Sequence, residues 1–285
     1  MNIPRLWPIV GVLACLAAPS ACAADASAWD QDARAAVRLI AGNPLPDAPD
    51  GTQRAGIEFR LASGWKTYWR YPGDSGIPPR FDFTRSENVK AVTVLWPAPR
   101  RFSDEAGQTI GYKDHIVFPL RVVPVDKSRR MVLRLNLDYA VCDKLCVPMA
   151  SRVQLPLDGA SSAQEGVIVA AEARVPTPAA LERDAPADGS GLAVTRVHRD
   201  TSSARPRVVV DVAVPGNASV DLLAEGPTPA WALPLPQAID GAHAGTQRFA
   251  FDLDGLPSGA TAEGASLTLT AIAGQRAIEV KARLD

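Results

Sequence analysis

The sequence predicts an all-β protein of two antiparallel β-sandwich domains joined by a short helical linker. Three observations lead there. The 285 residues include 25 prolines but only 6% aromatics, a composition of short strands punctuated by turns rather than of long helices. At least seven short β-prone segments lie between Gln53 and Leu157, in the count and spacing of an antiparallel sandwich. A second run of strand-like segments fills the C-terminal third, and about a hundred residues suffice to close a separate core.

The N-terminus reads as an export signal over residues 1–23. Arg5 precedes the apolar run Ile9–Ala18, and Ala21-Cys22-Ala23 supplies an A-x-A cleavage site. That run is short for a bilayer span, and Pro19 stands where a lipidation signal at Cys22 usually has an aliphatic residue. The mature chain is therefore expected to be soluble and exported, where disulfides persist. Cleavage removes Cys15 and Cys22 and leaves Cys142 and Cys146. A net charge of -1 gives no basic excess for nucleic acid.

The first domain is placed at residues 24–160. Asp30–Ala41 has helical composition, and Asn43–Gly51 reads as loop. Gln53–Leu61 alternates Ala55, Ile57, Phe59 and Leu61 against Arg54, Glu58 and Arg60, a half-buried strand. Trp65–Tyr71 is an aromatic strand with Trp65, Thr67, Trp69 and Tyr71 on the core face. Pro72–Pro79 is too rich in proline and glycine to be regular. Phe81–Phe83, Val89–Trp96, Ile116–Val125, Met131–Tyr139 and Arg152–Leu157 are further strands, while Pro97–Phe102 reads as an extended loop that leaves Arg100 and Arg101 solvated. Residues 161–190 form the linker. It has helical spacing over Ser161–Arg174, capped by Ser161 or Ser162, and linker composition over Ala185–Gly191. The second domain, residues 191–285, has strands at Leu192–His198, Pro206–Val214, Ser219–Ala224, Gln247–Leu253, Ser266–Ala271 and Arg276–Ala282. It holds no cysteine, and it is expected to fold separately and to be dispensable for any cysteine chemistry.

That chemistry centres on Tyr139-Ala-Val-Cys-Asp-Lys-Leu-Cys-Val-Pro148. A disulfide across so small a ring stabilises by only about 2 kcal/mol on the chain-entropy model. Val147-Pro148 and a strand follow, so no helix dipole activates a thiol. Asp138 and Asp143 oppose thiolate formation and Lys144 favours it. Three readings stay open from the residues alone: thiol–disulfide exchange, a hairpin staple, and a Cu(I) site using Cys142, Cys146, Met149 and His115. His115, His198 and His243 are dispersed, which weakens the metal reading. No cofactor motif, phosphate-cradling loop or hydrolytic triad stands out.

Several motifs resemble one family. Gly64-Trp-Lys-Thr-Tyr-Trp-Arg-Tyr-Pro-Gly-Asp-Ser-Gly-Ile-Pro-Pro79, Trp96-Pro-Ala-Pro-Arg-Arg101, Gly111-Tyr112, Val117-Phe-Pro-Leu120 and the cysteine strand are similar to the N-terminal periplasmic domain of the DsbD/ScsB thiol:disulfide reductase family, over roughly residues 50–160. The second β domain resembles the extra domain of ScsB-like N-terminal regions. The resemblance implies an immunoglobulin-like sandwich in the periplasm. It implies catalytic Cys142 and Cys146, joined as a disulfide, that take electrons from a membrane-embedded donor and pass them to periplasmic thioredoxin-fold proteins. It favours Cys142 as the attacking sulfur, and it makes Tyr68, Tyr71 and Tyr112 candidates for shielding the pair. The chain departs from the family at Met149, where glutamate is common, and lacks counterparts of the membrane and thioredoxin-like segments, which a separate polypeptide is expected to supply.

Overall fold

The structure is a computed structural model that describes residues 24–73, 76–104, 107–159, 161–182, 191–202, 205–214, 216 and 218–285. The expected signal peptide and the linker residues 185–190 lie outside the described residues. The first unit contains β1 (Asp30–Gln31), β2 (Ala35–Pro44), β3 (Gln53–Leu61), β4 (Lys66–Gly73), β5 (Arg80–Asp82), β6 (Val89–Val94), β7 (Arg100–Asp104), β8 (Gly107–Lys113), β9 (His115–Pro124), β10 (Met131–Cys142) and β11 (Cys146–Leu157). Helix α1 (Glu165–Glu172) follows. The second unit contains β12 (Thr177–Ala179), β13 (Ala193–Asp200), β14 (Arg207–Ala213), β15 (Val220–Glu225), β16 (Gln237–Ile239), β17 (Thr246–Asp252), β18 (Ser266–Ala273) and β19 (Arg276–Arg283). The fold is all-β and immunoglobulin-like, as the sequence predicts.

In the first sandwich a sheet ordered β1-β2-β3-β9-β6 faces one ordered β11-β10-β4-β8-β7, with β5 also paired to β10. Period-2 alternation fills the space between them. Val37 and Leu39, Ile57 and Phe59, and Phe118 and Leu120 come from one sheet; Trp69, Leu133, Leu135 and Leu137 come from the other. Phe118 is the hub, with ring centroids of Phe59, Trp96 and Tyr112 at 5.5, 5.2 and 5.2 Å. The faces expected for the aromatic strand hold: Trp69 is in this core, while Tyr68 lies in a separate small cluster.

Two expectations fail. Asp30–Ala41 is not helical; most of it forms β2, which pairs along β3. Its alanines carry helix propensity, but Ala35, Val37, Leu39 and Ala41 also alternate onto one face, and burial of that face in the core between the sheets overrides a preference worth tenths of a kcal/mol per residue. Pro97–Phe102 is not all loop, because β7 begins at Arg100 and pairs with β8.

Helix α1 lies on the outside of the first sheet. Ile168 and Ala171 pack on Ile40 and Val117. Arg54 bonds Glu165 and Glu172 at 2.9 and 3.1 Å, and Arg121 joins Glu172. The N-cap position is Gln164. Ser162 acts two residues earlier, its hydroxyl accepting from the Gln164 amide at 3.0 Å and donating to the Ala41 carbonyl at 2.8 Å.

The second sandwich pairs a β12-β19-β18-β15 sheet with a β13-β14-β17-β16 sheet. Val208, Val210, Leu222, Phe249, Phe251, Leu267 and Leu269 are among its core residues. Leu223 and Leu235 face the other way, into the first core cluster. Beside them Arg101 bonds Asp221 at 2.7 Å and the Leu222 and Pro236 carbonyls at 3.0 and 3.1 Å. Arg101 is thus no solvated loop residue but part of the contact between the sandwiches.

Candidate functional site

The β10–β11 hairpin builds the site. Its register is continuous from Met131↔Leu157 to Cys142↔Cys146, so the two cysteines close the ladder opposite one another. Residues 143–145 form the tip. The Arg152 amide, an even number of residues from Cys146, points off the sheet to the Asp30 carboxylate at 2.8 Å. By parity Cys142 and Cys146 form a non-hydrogen-bonded pair, the closer of the two antiparallel pair types. Their Cα atoms are 4.2 Å apart and the sulfurs are bonded. The same parity turns the nitrogen of Pro148 away from β10, on the outer edge of an edge strand, where proline removes no ladder bond.

Alternation also explains where the disulfide sits. Leu133, Leu135, Leu137, Tyr139 and Val141 of β10 enter the core. Cys142 therefore falls on the outer face, yet it is only 1% exposed. It is covered by Tyr68, which shares a small cluster with Ala140 and Cys142. The Tyr68 hydroxyl lies 3.1 Å from Cys146 Sγ and touches Cys142 Sγ as well. A Cβ added at Gly76 would lie 2.7 Å from two atoms of the Tyr68 ring, so the backbone there presses on the ring and only glycine fits. Cys146, by contrast, is exposed, next to Leu145, which is 77% exposed. The pair is thus asymmetric, with one sulfur facing solvent and the other enclosed under a hydroxyl.

The other sequence candidates disperse. Tyr112 is buried and donates to the Pro97 carbonyl at 2.7 Å, and burial pushes its phenol well above the ordinary range. Tyr71 donates to the Leu233 carbonyl of the second sandwich. His115 bonds Glu58 at 2.9 Å on the opposite sheet. Met149, three residues on from Cys146, points to the other face of β11, where its sulfur accepts from Arg34 Nη1 at 3.6 Å. The four residues considered for Cu(I) are therefore not gathered at one point. Among the described residues no group of three or more His, Cys, Asp or Glu side chains is arranged to hold a metal.

A shallow groove of about 500 Å³ runs beside the hairpin, lined by Ile77, Pro78, Tyr139, Pro148, Met149 and Ala150 among others. On the same face of β4 as Tyr68, Arg70 reaches the second sandwich, bonding Glu225 at 2.7 Å and also Glu279. Burial works against its charge, but the two carboxylates hold the guanidinium more firmly protonated than usual. Sequence reasoning did not find this contact. Its only trace there was an arginine on the outward face of an aromatic strand.

Residues 36–158 match the family model described as "Thiol:disulfide interchange protein DsbD, N-terminal". That match lies within the first sandwich and includes both cysteines of the disulfide. The chain is also similar in structure to the N-terminal periplasmic domain of ScsB from Proteus mirabilis, with TM-score 0.68 and 22% identity, over 91% of this chain and 98% of that one. That likeness spans both sandwiches and concerns the fold. No curated protein sequence matches the chain significantly. The DsbD N-terminal family and the Cys142–Cys146 disulfide together support thiol:disulfide exchange. Among the described residues no helix is long and apolar enough to cross a membrane.

Proposed function

We propose that this chain is an exported component of a protein-disulfide reductase system. It would relay electrons through Cys142 and Cys146 from a membrane-embedded donor to thioredoxin-fold proteins of the periplasm. The observation that carries this reading is the asymmetry of the pair, an exposed Cys146 bonded to an enclosed Cys142 whose sulfur meets the Tyr68 hydroxyl. A structural staple needs no such arrangement. The export signal read at residues 1–23 and the periplasmic origin of the structural relative support the compartment.

The chemistry follows from access. A donor thiolate attacks Cys146 Sγ, the sulfur it can reach. The Cys142–Cys146 bond breaks and its electron pair leaves on Cys142 Sγ, where Tyr68 is placed to donate a hydrogen bond to the developing thiolate. The donor's second thiolate then resolves the mixed disulfide, so the donor is oxidised by two electrons and this chain is reduced by two. In the second half Cys146 attacks the client disulfide, and Cys142 displaces the reduced client while the original bond re-forms. Exposure thus favours Cys146 as the attacking sulfur, in place of the Cys142 that family resemblance suggested. No helix N-terminus adjoins either cysteine, so the strongly activated thiolate is supplied by the partner.

Mixed-disulfide trapping tests this. Cys142→Ala leaves an attacking Cys146 with no resolving partner and is expected to accumulate mixed disulfides with donor and client proteins. Cys146→Ala is expected to accumulate almost none. A pair that stays oxidised in buffers poised below about -300 mV is a staple, and the proposal then fails.

A further inference from the structure

We infer that the second sandwich is a working part of the disulfide site, because through Arg70 it holds Tyr68 against the two sulfurs. Arg70 is then a positioning residue for exchange.

The argument starts from a gap in the sheet. Strand β4 pairs with β8 at Lys66, Thr67 and Tyr68, and next at Gly73; between Tyr68 and Gly73 the register breaks. On its other side β4 pairs with β10 at Thr67 and Lys66. The ladder therefore secures the strand up to Tyr68 and leaves the following residues to other contacts. Trp69 is held in the first core, while Arg70, Tyr71 and Gly73 also meet the second sandwich. Arg70 shares the outward face of β4 with Tyr68, two residues away. Its guanidinium bonds Glu225 of β15 through Nε at 2.9 Å and Nη2 at 2.7 Å, and it also bonds Glu279 of β19. A fork of charge-assisted bonds to two strands fixes direction as well as distance. The next residue, Tyr71, donates to the Leu233 carbonyl. At Gly73, with φ of +86°, the backbone is so close to its neighbours that a Cβ would lie 2.6 Å from the Gln108 carbonyl oxygen and 3.4 Å from Leu235. Three points in four residues are thus set wholly or partly by the second sandwich. On the far side Gly76 presses on the Tyr68 ring. The ring is held between that backbone and the sulfurs, and the second sandwich fixes the strand that delivers it.

The significance of this coupling rests on the exchange reading, but its test does not need a partner protein. The test is alkylation of the reduced full chain by iodoacetamide, followed separately at each cysteine by mass spectrometry. In a Glu225→Gln/Glu279→Gln double variant, loss of charged hydrogen bonds raises local opening, so alkylation of Cys142 is expected to quicken about tenfold while Cys146 changes by less than about twofold. Glu225→Asp/Glu279→Asp, which keeps the charges, is expected to recover part of the protection. Unchanged protection of Cys142 in a folded double variant overturns the inference. So does an equal rise at both cysteines, which reports general loosening. If the double variant does not fold, Arg70→Lys keeps the charge without the fork and is read by the same ratio. Failure of the exchange reading shows instead as an absence of mixed disulfides in trapping, with the alkylation ratio still moving.

Discussion

The outward face of β4 and β10 in the first sandwich carries Lys66, Tyr68, Arg70 and Cys142, whereas the outward face of β15 in the second carries Asp221, Leu223 and Glu225. Both units bury an ordinary alternating core. They differ in what their outer faces do. The first leaves a disulfide at a sheet corner, with one sulfur open. The second applies its outer face to the first, with Leu223 between two acids that meet Arg101 and Arg70. A β-sandwich core uses one side of each strand, so the other side is available either for chemistry or for contact. Here the two uses are assigned to different sandwiches and meet along β4.

The sharpest way to break this comparison is Leu223→Asp. Leu223 is 1% exposed, and an unpaired carboxylate there is expected to cost on the order of 5 kcal/mol. Calorimetry should then resolve two unfolding transitions where the parent chain gives one. A single unshifted transition would mean that the sandwiches are not joined through Leu223. Exchange that survives the separation unchanged would count against a role for the second sandwich at the disulfide. Next in size are core truncations. Phe118→Ala in the first core is expected to cost about 3–5 kcal/mol and Leu269→Ala in the second about 2–5 kcal/mol. If the sandwiches are coupled, urea unfolding followed by fluorescence and by Cys142 accessibility should show each truncation lowering both probes together.

Removal of the disulfide separates chemistry from stability. The ring closed by Cys142 and Cys146 is small, so Cys142→Ala/Cys146→Ala is expected to lower stability by only about 2 kcal/mol while abolishing exchange. A loss of more than about 4 kcal/mol in urea titration would favour a staple. The smallest effect is a response to acid in the second sandwich. The Asp211 carboxylate accepts from Arg248 at 2.6 and 2.9 Å, and these bonds hold it below the usual carboxylate range. A depressed folded pKa contributes stability above the unfolded value, and that contribution is lost as pH falls through the folded one. Asp211→Asn should therefore destabilise at pH 7, with the difference from the parent shrinking below about pH 4. A constant difference across that range would assign the effect to packing.

Much of this was legible in the sequence where a local rule applies. Alternation placed Trp69 in the core and Tyr68 outside it, and the spacing of Cys142 and Cys146 in a chain read as exported anticipated their bond. A serine was expected to cap α1, but the N-cap is Gln164, and Ser162 lies two residues before it and bonds its amide. Contacts between distant residues were not legible. Arg101 and Asp221 are 120 positions apart, and no local pattern distinguishes an arginine with such a partner from a solvated one. Residues 35–41 were misread because alanine-rich composition favours a helix, while burial of the Ala35, Val37, Leu39 and Ala41 face in the core decides for a strand. Which sulfur is open could not be read at all. It depends on the face that Cys142 takes at the end of β10 and on the ring that Tyr68 lays over it.

Pro148 has a consequence for how this hairpin can be approached. An edge strand that must present a reactive sulfur also presents unpaired backbone groups to any extended chain nearby. Cys146 and Ala150 direct their amides outward, and between them Pro148 has none, so another strand cannot zip along this stretch without losing a bond at its centre. Encounters are thereby steered from the long side of the sheet to its corner, where Leu145 and Cys146 project. The proline makes the hairpin a poor template for self-association and leaves its sulfur open to a partner that approaches end-on.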